Sequence, residues 1–391
     1  MNKSLWLSAV LILALLLSGG CGPAAQPSVS PSPPGEVKAP AEKAATAVPK
    51  AAWERQWDST MAEARKEGQL AIYGSVSDSL RGIGLDKTLN QKFGLTVEFT
   101  GGKASEIIPK LVAERKAGRY SGDIFILSPT TLVNTLKPGG LTEAIDQMIF
   151  LPDVLDPKAW YQNDLPWVDK GHHQIAMLAM PVAPVVINTD LAKPEEIRSY
   201  RDLLNPKWKG RIVLVDPTGA GAGNDWFSGM AEGVMDVNYL REFAKQEPII
   251  SRDSRIMAEW VARGKYPITV GLKTDIVAEF QRLGSPIQLV TPVEGTYVGT
   301  DSGGLTLLKN PEHPNAAKLF INWILTKEGL AFISKAYGGQ TARTDVATDF
   351  IDPKQVRQPG AKYLNTNTEE YASKLPGYFK LAAEVFAGSL K

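Results

Sequence analysis

The chain alternates short apolar runs with amphipathic helical patterns, and this alternation limits the folds open to it more than any other feature. QLAIY at residues 69–73 reads as a strand, as do residues 96–99, 123–127, 185–188, 212–216 and 267–272. Between the second and third runs lies GGKASEIIPKLVAERKAGRY, where Ile108, Leu111, Val112 and Arg115 keep helical spacing. Ser105 is the expected cap of that helix, Pro109 falls in its first turn, where a missing N–H costs little, and Gly118 is a natural stop. PNAAKLFINWI brings Ala317, Phe320, Ile321 and Ile324 to one face, and Pro314 is its expected start. Strand and helix repeated in this way favour an α/β fold, a largely parallel sheet with helices on its faces.

Ligands of such sheets bind beyond the carboxyl ends of the strands. The loops there share a polar character: Ser75 and Ser77 after the first strand, Lys103 and Ser105 after the second, Ser128 and Thr130 after the third. VDPTGAGAGNDWF follows RIVLV, and Lys273 and Thr274 follow PITVGL. Singly, each residue has a plain structural use as a cap, a turn or a solvated charge. Their repetition at one end of the strands points to a binding cleft.

The glycine-rich turn suits an anion, because its amides crowd forward and a helix start adds unpaired N–H groups. It is not a Walker loop, since Gly223 is followed by Asn224 and Asp225 in place of Lys and Ser or Thr. Nor do Gly219, Gly221 and Gly223 have the wider final spacing of a dinucleotide fingerprint. Thr218, Gly221, Gly223 and Asn224 are therefore read as donors to a small anionic group, Lys273 as added charge, and Trp226 as the aromatic best placed to stack, with core packing its commoner use.

At the other extreme of the chain, Lys3 precedes LWLSAVLILALLL, an apolar run too short for a membrane span and matched to a secretory signal. The single cysteine, Cys21, follows at once in LSGGCG. That stretch resembles the lipobox of bacterial lipoproteins, with Ser18 where a large apolar residue is usual. The resemblance implies lipidation of Cys21. Residues 22–50 are rich in Pro, Ala and Ser and lack aromatic residues, the composition of a flexible tether. A soluble body held beside a membrane follows, outside the cytoplasm.

Charge and motif counts exclude several classes. Basic and acidic residues number 43 and 42, with no long basic block, which argues against a nucleic-acid partner. There is no G-x-S-x-G elbow, H-E-x-x-H pair or P-loop, and the 3 histidines offer little for a catalytic triad. His172 and His173 are adjacent, so on a strand they point to opposite faces; His313 reads as a turn residue. No cofactor, no metal site and no enzymatic activity are expected, although Asp216, Asp225 and Asp301 have the chemistry for acid–base work.

PVVINTDLAKPEEIRSYRDLLNPKWKGRIVLVDP, VARGKYPITVGL and GGLTLLKNPEHPNAAKLFINWILTKEGLAFIS together resemble the extracellular solute-binding proteins of ABC importers. The resemblance is to the branch with ferric-iron, thiamine, phosphonate and sugar-phosphate binding members, and it spans residues 69–344. It implies a two-lobe, type II periplasmic-binding-protein fold that traps a solute by hinge closure and docks, as a monomer, on a membrane permease. The corresponding organisation is a signal peptide (1–20), a lipidated tether (21–50), a first lobe (51–184 and 296–391, the last part a helical tail) and a second lobe (185–295). Thr300, Asp301 and Ser302 follow the return crossing and are either hinge or cleft residues. Ferric-binding members of the branch supply a His or acid, an acid and a tyrosine pair where this chain has Ser75–Ser77, Ser128–Thr130 and Leu272–Lys273. A small organic or phosph(on)ate-type anion is thus the expected ligand, ferric iron the first alternative. A sensor docking on a membrane receptor is the second, and a lipid-anchored enzyme the last.

Overall fold

The computed structural model describes residues 50–182, 185–219, 221–272 and 274–389. Among them the strands, in chain order, are β1 (Gln69–Tyr73), β2 (Thr96–Thr100), β3 (Ile124–Leu127), β4 (Thr142–Glu143), β5 (Gln174–Ala176), β6 (Met180–Pro181) and β7 (Val185–Asn188). They continue with β8 (Ile212–Val215), β9 (Ile249–Ser251), β10 (Ile268–Val270), β11 (Ile287–Val290), β12 (Thr296–Gly299), β13 (Gly304–Leu308) and β14 (Tyr363–Asn365).

Two sheets carry the architecture. In the first, β2, β1 and β3 run parallel, β13 lies antiparallel beside β3, and β4 and β5 pair with β13. In the second, ordered β11-β7-β10-β8-β9, the strands β10, β8 and β9 are parallel, while β7 and β11 are antiparallel additions. Alternate residues of each strand enter different cores, which is why the sequence reads as near-continuous apolar runs. Leu70, Ile72, Ile124 and Ile126 pack with Phe320, Ile321 and Ile324 of the helix Pro314–Ile324. Ala71, Tyr73, Phe125 and Leu127 meet Ile107 and Leu111 of the helix Ala104–Lys116 on the other face. The second sheet divides likewise: Val185, Ile187, Ile212, Leu214, Ile268 and Val270 enter one core and Val186, Val213 and Val215 another.

The register fixes where the sheets meet. Ala176 at the end of β5 and Leu127 at the end of β3 both pair with Gly304, the first residue of β13. Val185 at the start of β7 pairs with Val270 and Val290, the last residues of β10 and β11. The outward and return crossings, which include β6 and β12 paired antiparallel, therefore join the carboxyl-end edge of one parallel set to that of the other.

The helix Glu369–Val385 corrects the division made from sequence, which put all of 296–391 with the first lobe. Its Ala382 and the following Phe386 are buried in the second sheet's core, with Phe386 6.0 Å from Phe227 and 6.4 Å from Phe243 between ring centres. Near its start the same helix touches both units. Asn134 Nδ2 donates to the Ala372 carbonyl at 3.0 Å, and Tyr371 Oη lies 2.5 Å from Ser228 Oγ. Among the described residues no helix is long and apolar enough to cross a membrane.

Candidate functional site

On the first sheet, Tyr73 pairs with Thr100 and Phe125, so the loops after β1, β2 and β3 emerge side by side. Ser75 is exposed, and its Oγ lies 3.4 Å from Ser302 Oγ in the link that leads into β13. Ser302 thus lies at this edge, whereas Thr300 is fully buried. Its hydroxyl accepts from Leu178 N–H at 3.2 Å and its own N–H donates to Asn367 Oδ1 at 2.6 Å. Asp301 takes φ +49°, which turns the chain between them. Ser128 caps the helical turn Pro129–Thr131, accepting from Thr131 N–H at 3.3 Å, and Thr130 is half-buried within that turn.

Two residues expected here have other duties. Ser77 is fully buried and points its hydroxyl at the Thr100 carbonyl, 3.4 Å away, tying the first loop to β2. Ser105 is exposed but does not cap its helix: Lys103 holds the cap position, and Glu106 accepts from its N–H at 3.2 Å. The sequence placed Pro109 in the first turn, yet it stands inside the helix; it is exposed, so the bond it cannot make is lost on the solvent side.

On the second sheet, Val215 pairs with Ser251 and Leu214 with Val270, which brings the turns after β8, β9 and β10 to a common edge. The turn after β8 is organised by Asp216. Its Oδ1 accepts from Thr218 N–H at 2.9 Å and Thr218 Oγ1–H at 2.7 Å, and its Oδ2 accepts from Arg252 Nε at 2.7 Å. Burial works to raise the pKa of this carboxyl, but the bonds from Arg252 and Thr218 outweigh it and hold the pKa below the usual range. Asn224, 1% exposed, donates from Nδ2 to the Pro217 carbonyl at 2.7 Å, and its Oδ1 has no hydrogen-bond partner among the described residues.

The glycines of this turn differ in purpose. A Cβ on Gly223 would lie 2.3 Å from the Val215 carbonyl oxygen and 2.5 Å from that of Asp216, so only glycine lets the helix Ala222–Gly229 start against the end of β8. Gly221, at φ +136°, supplies a backbone conformation that L side chains rarely adopt. Gly219 has open space around it. Trp226 is not available to a ligand, correcting the stacking expectation. It is fully buried, 5.2 Å from Phe243 between ring centres. Thr274 begins the helix Thr274–Arg282, and Lys273 and Cys21 lie outside the described residues.

One phenol, Tyr337, lies beside Ser302 of the first edge, whereas Tyr266, Tyr297 and the histidines sit elsewhere. Tyr266 precedes β10 and so sits at the opposite edge of its sheet, its ring tilted against Trp260 at 5.8 Å between ring centres. Tyr297, on β12, is buried against Gly229, and burial first, then the nearby Asp225, Tyr371 and Tyr200, push its pKa far up. The histidines are each bound to an acid: His173 to buried Asp169 at 2.9 Å, His313 to buried Asp123 at 2.9 Å, and His172 to Asp146 at 3.3 Å. Among the described residues no group of three or more His, Cys, Asp or Glu side chains is placed to hold a metal.

A family model described as "Bacterial extracellular solute-binding protein" matches residues 84–361, well over half of the chain. This protein belongs to that family. A protein of Haemophilus influenzae, described only as uncharacterized, is 32% identical to this solute-binding protein over 330 residues, covering 79% of this chain and 88% of its own length. Iron uptake protein A1 of Synechocystis is 26% identical over 140 residues, 35% of this chain and 36% of its own.

Solved structures agree on the fold. The Trichodesmium protein FutA, in complex with iron and citrate, superposes with a TM-score of 0.64 at 17% identity, covering 81% of this chain and 99% of that one. AfuA of Actinobacillus pleuropneumoniae, with fructose 6-phosphate bound, gives 0.59 at 22%, covering 82% and 99%. Iron-bound HitA of Pseudomonas aeruginosa gives 0.60 at 17%, covering 81% and 99%. The solute-binding protein is thus a two-lobe α/β protein of the periplasmic binding type, in a family that works outside the cytoplasm. Family and fold are those of transport proteins that bind a substrate.

Proposed function

We propose that this solute-binding protein captures a small organic or phosph(on)ate-type anion between two lobes, residues 51–184 with 296–368 and residues 185–295 with the final helix. It then hands that anion to an ABC permease. The supporting observation is the make-up of the two facing edges: hydroxyls of Ser75, Ser128, Thr130 and Ser302 on one, and Thr218 with the amides of Gly221 and Gly223 on the other. Lys103 stands exposed at the first edge. Such a set bonds oxyanions and matches poorly the phenolates and carboxylates that suit a ferric ion. Closure follows because each ligand contact from one edge is completed only when the other arrives.

Ferric iron is the second reading, favoured by the iron named for FutA, HitA and the Synechocystis relative. Thermal melting against fructose 6-phosphate, aminoethylphosphonate, citrate and ferric nitrilotriacetate separates the two. A ligand at about 100 times its dissociation constant stabilises by roughly 2.7 kcal/mol. Stabilisation by an organic anion supports the first reading, and stabilisation by ferric ion alone replaces it. Anchoring through Cys21 completes the proposal; palmitate labelling that persists in Cys21→Ala would remove it.

A further inference from the structure

Arg252 was invisible as a site residue in the sequence, yet it stands beside the glycine-rich turn. It directly follows β9, whose Ser251 carbonyl accepts from Asp216 N–H at 2.8 Å, so the parallel register of β8 and β9 fixes the distance between the two residues. Asp216 is 9% exposed and Arg252 87%. The buried partner is therefore the anchor and the exposed one the instrument. All of the carboxylate's bonding is directed inward or to Arg252: Oδ1 takes both Thr218 donors and Oδ2 takes Arg252 Nε. That geometry neutralises Asp216 and, among the described residues, leaves the terminal guanidinium N–H groups without an acceptor, a fork that matches an oxyanion with two parallel bonds.

A second unmet group lies in the same turn. Asn224 is held across the turn by the bond to Pro217, and its buried Oδ1 has no donor among the described residues. An unmet buried acceptor of this kind is uncommon and costly unless something supplies the donor. Asp225, the acidic residue beside it, is close enough to Tyr297 and Tyr371 to raise both phenol pKa values, which places its charge on the side of the final helix.

From these observations we infer that Arg252 is the charge-reading residue of the binding site, aimed by Asp216, and that it binds the oxyanion of a ligand that also carries a hydrogen-bond donor. The inference rests on the anion reading above. Asp216 is a positioning residue in this scheme: it does not touch the ligand but sets the angle of the fork and holds Thr218 in the same turn.

Calorimetric titration of the full chain with fructose 6-phosphate and with aminoethylphosphonate tests it. Arg252→Gln lowers the melting temperature of the unliganded protein slightly, through the lost pair with Asp216, and at a temperature where both proteins are folded it weakens the better anion about tenfold or more. Arg252→Lys keeps the charge but not the fork and gives an intermediate loss. The pH profile is the readout that a purely structural residue would not move. A phosphate monoester gains its second charge near a pKa of about 6, so wild-type affinity rises from pH 5 to pH 7, and the rise flattens in Arg252→Gln. Equal affinity of wild type and Arg252→Gln for a bound anion overturns the role of Arg252 and leaves the anion reading intact. If wild type binds neither anion nor citrate and takes only ferric ion, the anion reading fails and this inference with it.

Discussion

Replacing the three alternating glycines one at a time tests how the turn after β8 is built. At Gly223 an added Cβ meets two backbone oxygens at 2.3 and 2.5 Å, neither of which can rotate away. The helix Ala222–Gly229 must lift off the strand end, and overpacking of this kind costs about 1–3 kcal/mol. The displacement spreads, because Gly271 in the next turn packs with its would-be Cβ 3.3 Å from the Gly223 Cα. At Gly221 space is open but φ is +136°, so alanine is strained without a clash, at roughly 1–3 kcal/mol. At Gly219 neither penalty applies, and alanine is neutral to within about 0.5 kcal/mol. The assay is urea unfolding of the purified protein followed by tryptophan fluorescence, comparing midpoints at constant slope. Gly219→Ala should overlay wild type, with Gly221→Ala and Gly223→Ala shifted to lower urea. If Gly223→Ala is as stable as Gly219→Ala, the close approach of helix and strand end is wrong, and with it the placement of the amides.

Other consequences follow from buried groups. Asp169 has a side chain sealed from solvent; burial works to raise its pKa, but hydrogen bonds from Lys137 and His173 outweigh this and lower it. A carboxyl with a folded pKa below its unfolded value, about 3.9, gives stability that is full above that value and lost as pH falls through the folded pKa. Urea midpoints between pH 6 and pH 3 should therefore drop less steeply at the acid end in Asp169→Asn than in wild type, and equal slopes would refute this. Phe386→Ala removes a fully buried ring from the second core and should cost about 3–5 kcal/mol. A loss below about 1 kcal/mol would mean that the final helix is not anchored there.

Much of this was legible in the chain because strand and helix periodicity is local. QLAIY, RIVLV and the helix beginning at Pro314 fall where their patterns place them, and Gly118 and Gly338 end their helices at φ +71° and +62°. Contacts set by pairing between distant segments were not legible. Arg252 and Asp216 are separated by 36 residues and meet through a strand of only three, Ile249–Ser251, too short to show a period. Ser77 and Trp226 have the chemistry of ligand-binding residues, but each lies on the inward side of its element, which only the packed neighbours decide. The final helix joins the second core because Ala382 and Phe386 face Phe227 and Phe243, a match that its own sequence does not disclose.

The most direct measurement is native mass spectrometry of the protein purified from its source cells, followed by denaturation and accurate mass of whatever is released. The account predicts an organic anion carrying a phosphate, phosphonate or carboxylate group and at least one hydrogen-bond donor. Release of a bare ferric ion in place of an organic anion would contradict it.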